Sequence, residues 1–92
     1  MKQATRASVK STPLLAIIGA IHKNTFGESV IVFASKTGLD PALVSRVLNS
    51  KRDPTPLFIG RLARRLEPRE AKKLIAAYLR EVAAEIEEHR NG

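Results

Sequence analysis

Residues 30–49 read VIVFASKTGLDPALVSRVLN, and their spacing predicts two short helices joined by a tight turn. Ala34 is the small residue that two steeply crossing helices need where their backbones approach. Gly38 can end the first helix, because glycine adopts a positive φ without a steric penalty. Asp40 followed by Pro41 is typical of a helix start, since aspartate caps free N–H groups and proline has no N–H to leave unpaired.

The second of these helices, predicted over residues 41–49, has an inward and an outward face. Val44 and Val47 are about one turn apart, so they share a face that we expect to pack against Phe33 and Ala34. The opposite face is free to contact a partner. It carries Ala42, Leu43, Ser45, Arg46 and Asn49.

The run Val30–Phe33 is locally a strand signal, because its β-branched residues lose χ1 freedom in a helix. The sequence contains no second strand with which this run could pair. We therefore predict a helix here as well, opening at Glu28 or Ser29.

Length and composition favour one small domain. The chain has 92 residues, of which 43% are hydrophobic, and this favours an apolar core over disorder. Because it has no cysteine, it has neither a disulfide framework nor a thiolate metal site. No run reaches the ~18 apolar residues of a membrane span, and the start MKQATRASVKSTP is too polar for a secretion signal. We expect a cytoplasmic protein.

The positive charge is concentrated in the part of the chain that contains the quoted segment. The net charge of the chain is +7. Residues 1–65 have a net charge of +8, and residues 66–92 have a net charge of −1. Such a segment attracts a polyanion and releases its counterions on binding. Solubility alone is the competing explanation of the excess.

Proline positions and apolar periodicity mark three further helices. They are predicted from Pro13 to about Lys23, from Pro56 until Pro68 breaks the helix, and from Pro68 to about Glu88. The fold class that follows is an all-α, compact five-helix bundle.

The last two helices each carry an apolar face. The helix that begins at Pro56 is expected to bury Leu57, Ile59, Leu62 and Leu66 or their close neighbours. The C-terminal helix has an apolar stripe of Leu74, Ile75, Tyr78, Leu79, Val82 and Ile86. We expect Leu74 and Ile75 to pack in the core. The candidate dimer seam is Leu79, Val82 and Ile86.

The segment Leu14–Leu66 resembles the phage repressor/Cro family, also called Xre-type helix-turn-helix domains. The match is clearest over FASKTGLDPALVSRVLNSKRDPTPLFIGRLARRL, residues 33–66. That family shows a small residue in helix 2, a glycine turn, an inward Ile/Val pair in helix 3, a basic loop, a proline and a leucine-rich helix. The corresponding residues here are Ala34, Gly38, Val44, Val47, Ser50, Lys51, Arg52, Pro54, Pro56 and Leu57–Leu66.

The resemblance implies a lambda-repressor-like DNA-binding domain over residues 12–67, with residues 68–92 serving core packing or dimerisation. It places helix 41–49 in the major groove. The implied base contacts are Pro41, Ala42, Leu43, Ser45 and Arg46, and the implied phosphate contacts are Ser29, Asn49, Lys51 and Arg52. In the polar arm of residues 1–11, Lys2, Arg6 and Lys10 either reach the minor groove or stay in solvent.

Three positions depart from the family pattern. Pro41 cannot donate a hydrogen bond where the family often has Gln or Arg, and Leu43 is apolar where Ser or Thr is common. Ser50 replaces the usual glycine after helix 3, so we expect that turn to be built differently. Arg46 is then the one group able to contact guanine bidentately.

A basic run in the fourth helix leaves alternatives open. Arg61, Arg64 and Arg65 either contact phosphate, pair with Glu67 and Glu70, or remain solvated. We favour the solvated interpretation.

We expect a sequence-selective, homodimeric regulator of transcription that binds double-stranded DNA, a repressor of bacterial or phage type that needs no cofactor and no metal. One alternative is an antitoxin or anti-repressor that binds a partner protein through its C-terminal helix. A second is a non-specific nucleic-acid binder. An enzyme is not expected, because His22 and His89 lie far apart in the sequence and have neither metal-like spacing nor a nucleophile to serve.

Overall fold

The computed structural model describes residues 12–91, which form five helices and no strand. Their bounds are α1 Pro13–Asn24, α2 Val30–Thr37, α3 Pro41–Leu48, α4 Pro56–Ala63 and α5 Pro68–Asn91. The predicted all-α bundle is confirmed. The arm cations Lys2, Arg6 and Lys10 lie outside the described residues.

Helix α2 packs against α3, and α5 packs against both α1 and α4. The core is formed mainly by Phe33, Phe58, Ile18, Leu62, Leu74, Val44 and Val47, which are almost fully buried. Among the described helices, none has both the length and the apolar composition that crossing a bilayer requires.

Three helices begin with a hydroxyl that caps the first turn. Thr12, Ser29 and Thr55 each have extended backbone, and each side-chain oxygen accepts a hydrogen bond from the N–H three residues later, at 3.1–3.2 Å. Each hydroxyl thus satisfies one of the N–H groups that a helix start leaves unpaired.

Helix α3 begins differently. Asp40 stands at the capping position before Pro41, as predicted, but its carboxylate makes no capping hydrogen bond. The expectation that this carboxylate caps the helix is therefore wrong. The helix start depends instead on the fixed φ of Pro41 and on the Asp40 carbonyl, which accepts from the Val44 N–H at 3.0 Å.

The β-branched run before Phe33 is helical, as predicted. Phe33 is fully buried, and its ring centroid lies 4.7 Å from that of Phe26, 5.8 Å from that of His22 and 6.0 Å from that of Phe58. These partners come from α1, the following loop and α4. Burial against them outweighs the small helix-propensity cost of the β-branched residues.

The turn between α2 and α3 follows the prediction. Gly38 has φ +73° in the left-handed region, and its N–H and that of Leu39 both donate to the Ala34 carbonyl, at 2.8 and 3.0 Å. Ala34 and Leu39 are buried. A Cβ on Gly38 would also come within 3.1 Å of the Arg61 Nη1 atom, so glycine is favoured here by conformation and by space.

The turn after α3 corrects an expectation. Ser50 has φ +59°, its N–H donates to the Val47 carbonyl at 3.1 Å, and the Lys51 N–H donates to the Arg46 carbonyl at 2.8 Å. This is the hydrogen-bond pattern with which glycine commonly ends a helix. The turn is thus built in the usual way, and serine adopts the conformation of the missing glycine.

Because an L-residue is strained in the left-handed region, we expect Ser50→Gly to raise the free energy of unfolding by about 0.5–1 kcal/mol. Urea denaturation monitored by circular dichroism measures the change. The matched control is Ser45→Gly, which places the same substitution inside α3 and should lower stability by a similar amount. Equal losses in both variants would contradict the strain assigned to Ser50.

Helices α4 and α5 bury most of the predicted residues, since Ile59, Leu62 and Leu74 are buried and Leu66 packs against the core, but one residue of each helix differs. Leu57 is 59% exposed, and its neighbour Phe58 enters the core in its place. Ile75 is 41% exposed, while Leu74 and Ala77 are buried. The predicted burial of Leu57 and Ile75 is wrong, because Phe58 in α4 and Leu74 with Ala77 in α5 fill the core side of each helix.

The C-terminal helix is longer than predicted, and the three residues of the predicted dimer seam differ in their exposure to solvent. It continues to Asn91 instead of ending near Glu88. Leu79 and Ile86 are exposed, but Val82 is half-buried beside Tyr78. The exposed apolar stripe of α5 is therefore Ile75, Leu79 and Ile86.

Candidate nucleic-acid interface

Helix α3 is fixed to the core by one face and exposes the other. Val44 and Val47 are fully buried, whereas Ala42, Arg46 and Asn49 are exposed. The exposed residues follow one another at intervals of three to four residues, so they lie on one side of the helix. Helix α5 lies against α1 and α4, and it leaves this side of α3 uncovered.

Two of the predicted base-contacting residues are partly buried. Leu43 packs against the apolar core, and Ser45 is half-buried. Pro41 is exposed at the first position of the helix. The surface that α3 can offer a partner is therefore centred on Ala42 and Arg46, with Leu43 and Ser45 at its margins.

Arg46 has its charged group available. Its side chain is exposed, and within residues 12–91 its guanidinium makes no hydrogen bond or ion pair. A guanidinium carries five N–H donors in a planar fork. The position can therefore present a bidentate donor to an acceptor outside the chain.

Asn49 is used by the end of its own helix. Its Nδ2 group donates to the Ser45 carbonyl at 2.8 Å and lies 3.4 Å from the Ser45 Oγ atom. The amide thus satisfies one of the carbonyls that a helix end leaves unpaired. A phosphate contact by Asn49 would compete with this bond.

Ser29, at the N-terminus of α2, is a polar residue next to exposed apolar side chains. The Ser29 hydroxyl accepts from the Val32 N–H at 3.1 Å, and the positive end of the helix dipole lies here. Ile31 and Val32 follow it and are exposed. The Ser29 hydroxyl thus serves as the cap of α2, and its phosphate contact stays a prediction.

Lys51 and Arg52 extend the basic surface beyond α3. Both are exposed, and neither forms an ion pair with another residue of the described chain. The left-handed conformation of Ser50 turns the chain directly after the helix and so places these two cations at its C-terminal end.

Arg61 has a role that sequence reasoning missed. Its Nη1 atom donates to the Gly38 carbonyl at 2.7 Å, across 23 residues of sequence. It is therefore neither simply solvated nor paired with Glu67 or Glu70, which corrects that expectation for this residue. The bond joins α4 to the turn that sets the direction of α3.

The only signal for this contact is the partial negative charge that a helix end such as Gly38 presents to a cation. That signal does not say which cation responds. Arg64 and Arg65, the other two arginines of the run, are exposed.

No group of three or more His, Asp or Glu residues suited to holding a metal occurs in residues 12–91. Comparison of the chain with known protein families, curated proteins and solved structures found no match. The function is therefore inferred from the geometry and charge of the chain's own residues.

Proposed function

We propose that this protein is a sequence-selective, double-stranded DNA-binding regulator of transcription, a repressor of the phage repressor/Cro type. The observation that carries the proposal is the exposed outer face of α3, whose inner face is locked into the core by Val44 and Val47. A rigid helix that presents exposed residues on one side is the element with which such proteins read DNA.

The dimensions of α3 suit the major groove. Its eight residues span about 12 Å, and the groove of B-DNA is about 12 Å wide. Ala42 allows a close approach to the base edges because its side chain is small. Arg46 supplies the bidentate donor that guanine accepts through O6 and N7.

Phosphate contacts would fix the orientation of α3 in the groove. Lys51 and Arg52 lie exposed at its C-terminal end, and Ser29 stands at the N-terminus of α2. Contacts of this kind supply affinity and register without reading sequence. Asn49 would join them once its amide turns from the Ser45 carbonyl.

A homodimer would explain the exposed apolar stripe of α5. Ile75, Leu79 and Ile86 are exposed large hydrophobic residues at spacings of four and seven, so they lie along one side of the helix. A second copy of the chain could cover this stripe with its own. The dimer would present two α3 helices to half-sites about 34 Å apart.

The same stripe favours a second candidate function. An antitoxin or anti-repressor would use Ile75, Leu79 and Ile86 to hold a partner protein instead of a second copy. The two functions predict different masses for the purified protein and different retention of selected DNA.

In vitro selection of duplex oligonucleotides, combined with the solution mass, tests the proposal. We expect enrichment of a two-fold symmetric site and a mass of two chains. No enrichment over random duplex, with equal binding to RNA, would contradict sequence selectivity and favour non-specific binding to nucleic acid.

Lys51→Ala is expected to weaken binding to selected and random duplexes alike. Because one phosphate contact is lost, the slope of log K against log salt should fall by about one. Fluorescence anisotropy at a series of salt concentrations measures it. The matched control is Lys72→Ala, which removes an exposed lysine of α5 and should leave the slope unchanged. Equal slopes for both variants would exclude Lys51 from the interface.

A further inference from the structure

A groove of about 470 Å³ lies on the side of the bundle formed by α1 and the C-terminal half of α5. Its apolar lining includes Leu14 at the start of α1, Pro54 in the loop that follows α3, and Tyr78 and Val82 in α5. Thr12, the first described residue, also lines it. The chain before Thr12 therefore enters the structure at the edge of this groove.

The face of α5 that points into the groove changes character along the helix. In the first half of α5 this face carries Leu74 and Ala77, which are buried in the core. The next residues on the same face are Glu81, Glu85 and Glu88. All three residues line the groove, as does Asp53 of the loop. The direction that is apolar in the first half of α5 is therefore acidic in the second half.

Glu81 shows that this acidic lining lacks a partner in the described chain. Its Oε2 atom is buried and makes no hydrogen bond. The ion pair formed within residues 12–91 is Arg90–Glu87, at 2.9 Å, and it lies outside the groove. A buried carboxylate oxygen without a donor is costly, so a cation is expected to approach it.

We propose that residues 1–11 of this chain occupy the groove and pair their cations with its carboxylates. This segment carries three cations, Lys2, Arg6 and Lys10, and no acidic residue, whereas the groove is lined by four acidic residues. Lys10 is two residues before Thr12, within about 7 Å of the groove edge along an extended chain.

The remaining length is sufficient for the other two cations. The groove follows α5 from Tyr78 to Glu88, about 15 Å of helix, and eleven residues reach about 36 Å when extended. The proposal does not depend on DNA binding, because it concerns a face of α5 that is separate from α3.

Paramagnetic relaxation tests this docking in the full chain. The sequence has no cysteine, so Gln3→Cys creates a unique thiol for a nitroxide label, nine residues from Thr12 and about 30 Å from it along an extended chain. We expect the backbone amide signals of residues 78–88 to lose intensity, while those of α2 keep theirs. The loss should disappear at about 1 M salt, where the Debye length is about 3 Å. Uniform intensity along the chain would overturn the proposal.

Two matched variants of the labelled chain separate pairing in the groove from a general charge effect. Glu85→Gln removes a groove carboxylate and should reduce the intensity loss. Glu87→Gln removes a carboxylate of the same helix that lies outside the groove, and it should leave the loss unchanged. Identical behaviour of the two variants would overturn the pairing.

A mixed sample identifies the source of the arm. Unlabelled ¹⁵N-enriched chains are combined with nitroxide-labelled chains of natural isotopic composition. If Glu81, Glu85 and Glu88 lose more intensity in this mixture than Leu79 and Ile86 of the exposed stripe, a second copy supplies the arm and the proposal is overturned. A loss centred on the stripe reports contact between two chains through it and supports docking of each arm in its own chain. Full intensity in the mixture supports docking within one chain.

Discussion

Phe33→Ala is expected to lower the free energy of unfolding by about 3–5 kcal/mol. The side chain is fully buried, and its ring contacts those of Phe26, His22 and Phe58. Alanine would leave a cavity among helices that come from different parts of the chain. A domain of this size has a total stability of about 5–15 kcal/mol, so the loss should bring the variant close to unfolding at room temperature.

Urea denaturation followed by circular dichroism measures this loss. The matched control is Ile31→Ala, which truncates a large apolar side chain in the same helix at a position that is 75% exposed. Its effect should remain within about 0.5 kcal/mol. Comparable losses at both positions would show that the buried face of α2 is not the one described.

Arg46→Ala is expected to remove about 1–3 kcal/mol of discrimination between the preferred base pair and its substitutes, roughly 5- to 150-fold in relative affinity. The guanidinium is exposed and makes no contact within the described chain, so alanine should leave the fold intact. Affinity for random duplex should change much less. The prediction rests on the proposed role of α3 in the major groove.

Anisotropy titrations with the selected duplex and with single-base substitutions of it provide the measurement. Arg64→Ala is the control, because it removes an exposed arginine that lies outside α3 and should leave the order of preferred bases unchanged. If Arg46→Ala binds all duplexes with the original ranking and affinity, α3 is not the reading element.

The unit of α2, turn and α3 was predictable because its signals are local. Gly38 ends one helix, Pro41 starts the next, and the spacing of Val44 and Val47 identifies the inward face. Even the conflicting β-branched run before Phe33 could be interpreted correctly, since no second strand was present to pair with it. These features depend on residues fewer than about five positions apart, where backbone geometry decides.

The faces of α4 and α5 were not predictable to the same precision. Each helix carries apolar residues over more than one side, so its periodicity permits two neighbouring orientations. Phe58 is buried where Leu57 was expected, and Ala77 accompanies the correctly predicted Leu74 where Ile75 was expected. The choice depends on which side chains fill the space beside Phe33 and Ile18, and packing density makes that choice unique.

The order of the helices, the turn between α2 and α3, and the inward pair of α3 were determined by the amino-acid sequence itself, because short-range sterics and capping act within a few residues. Only the tertiary structure decided that Arg61 bonds to the Gly38 carbonyl and that Glu81 faces a groove beside Thr12. Those relations join residues more than twenty positions apart. Their geometry is set by how the helices pack, and no local pattern of residues specifies it.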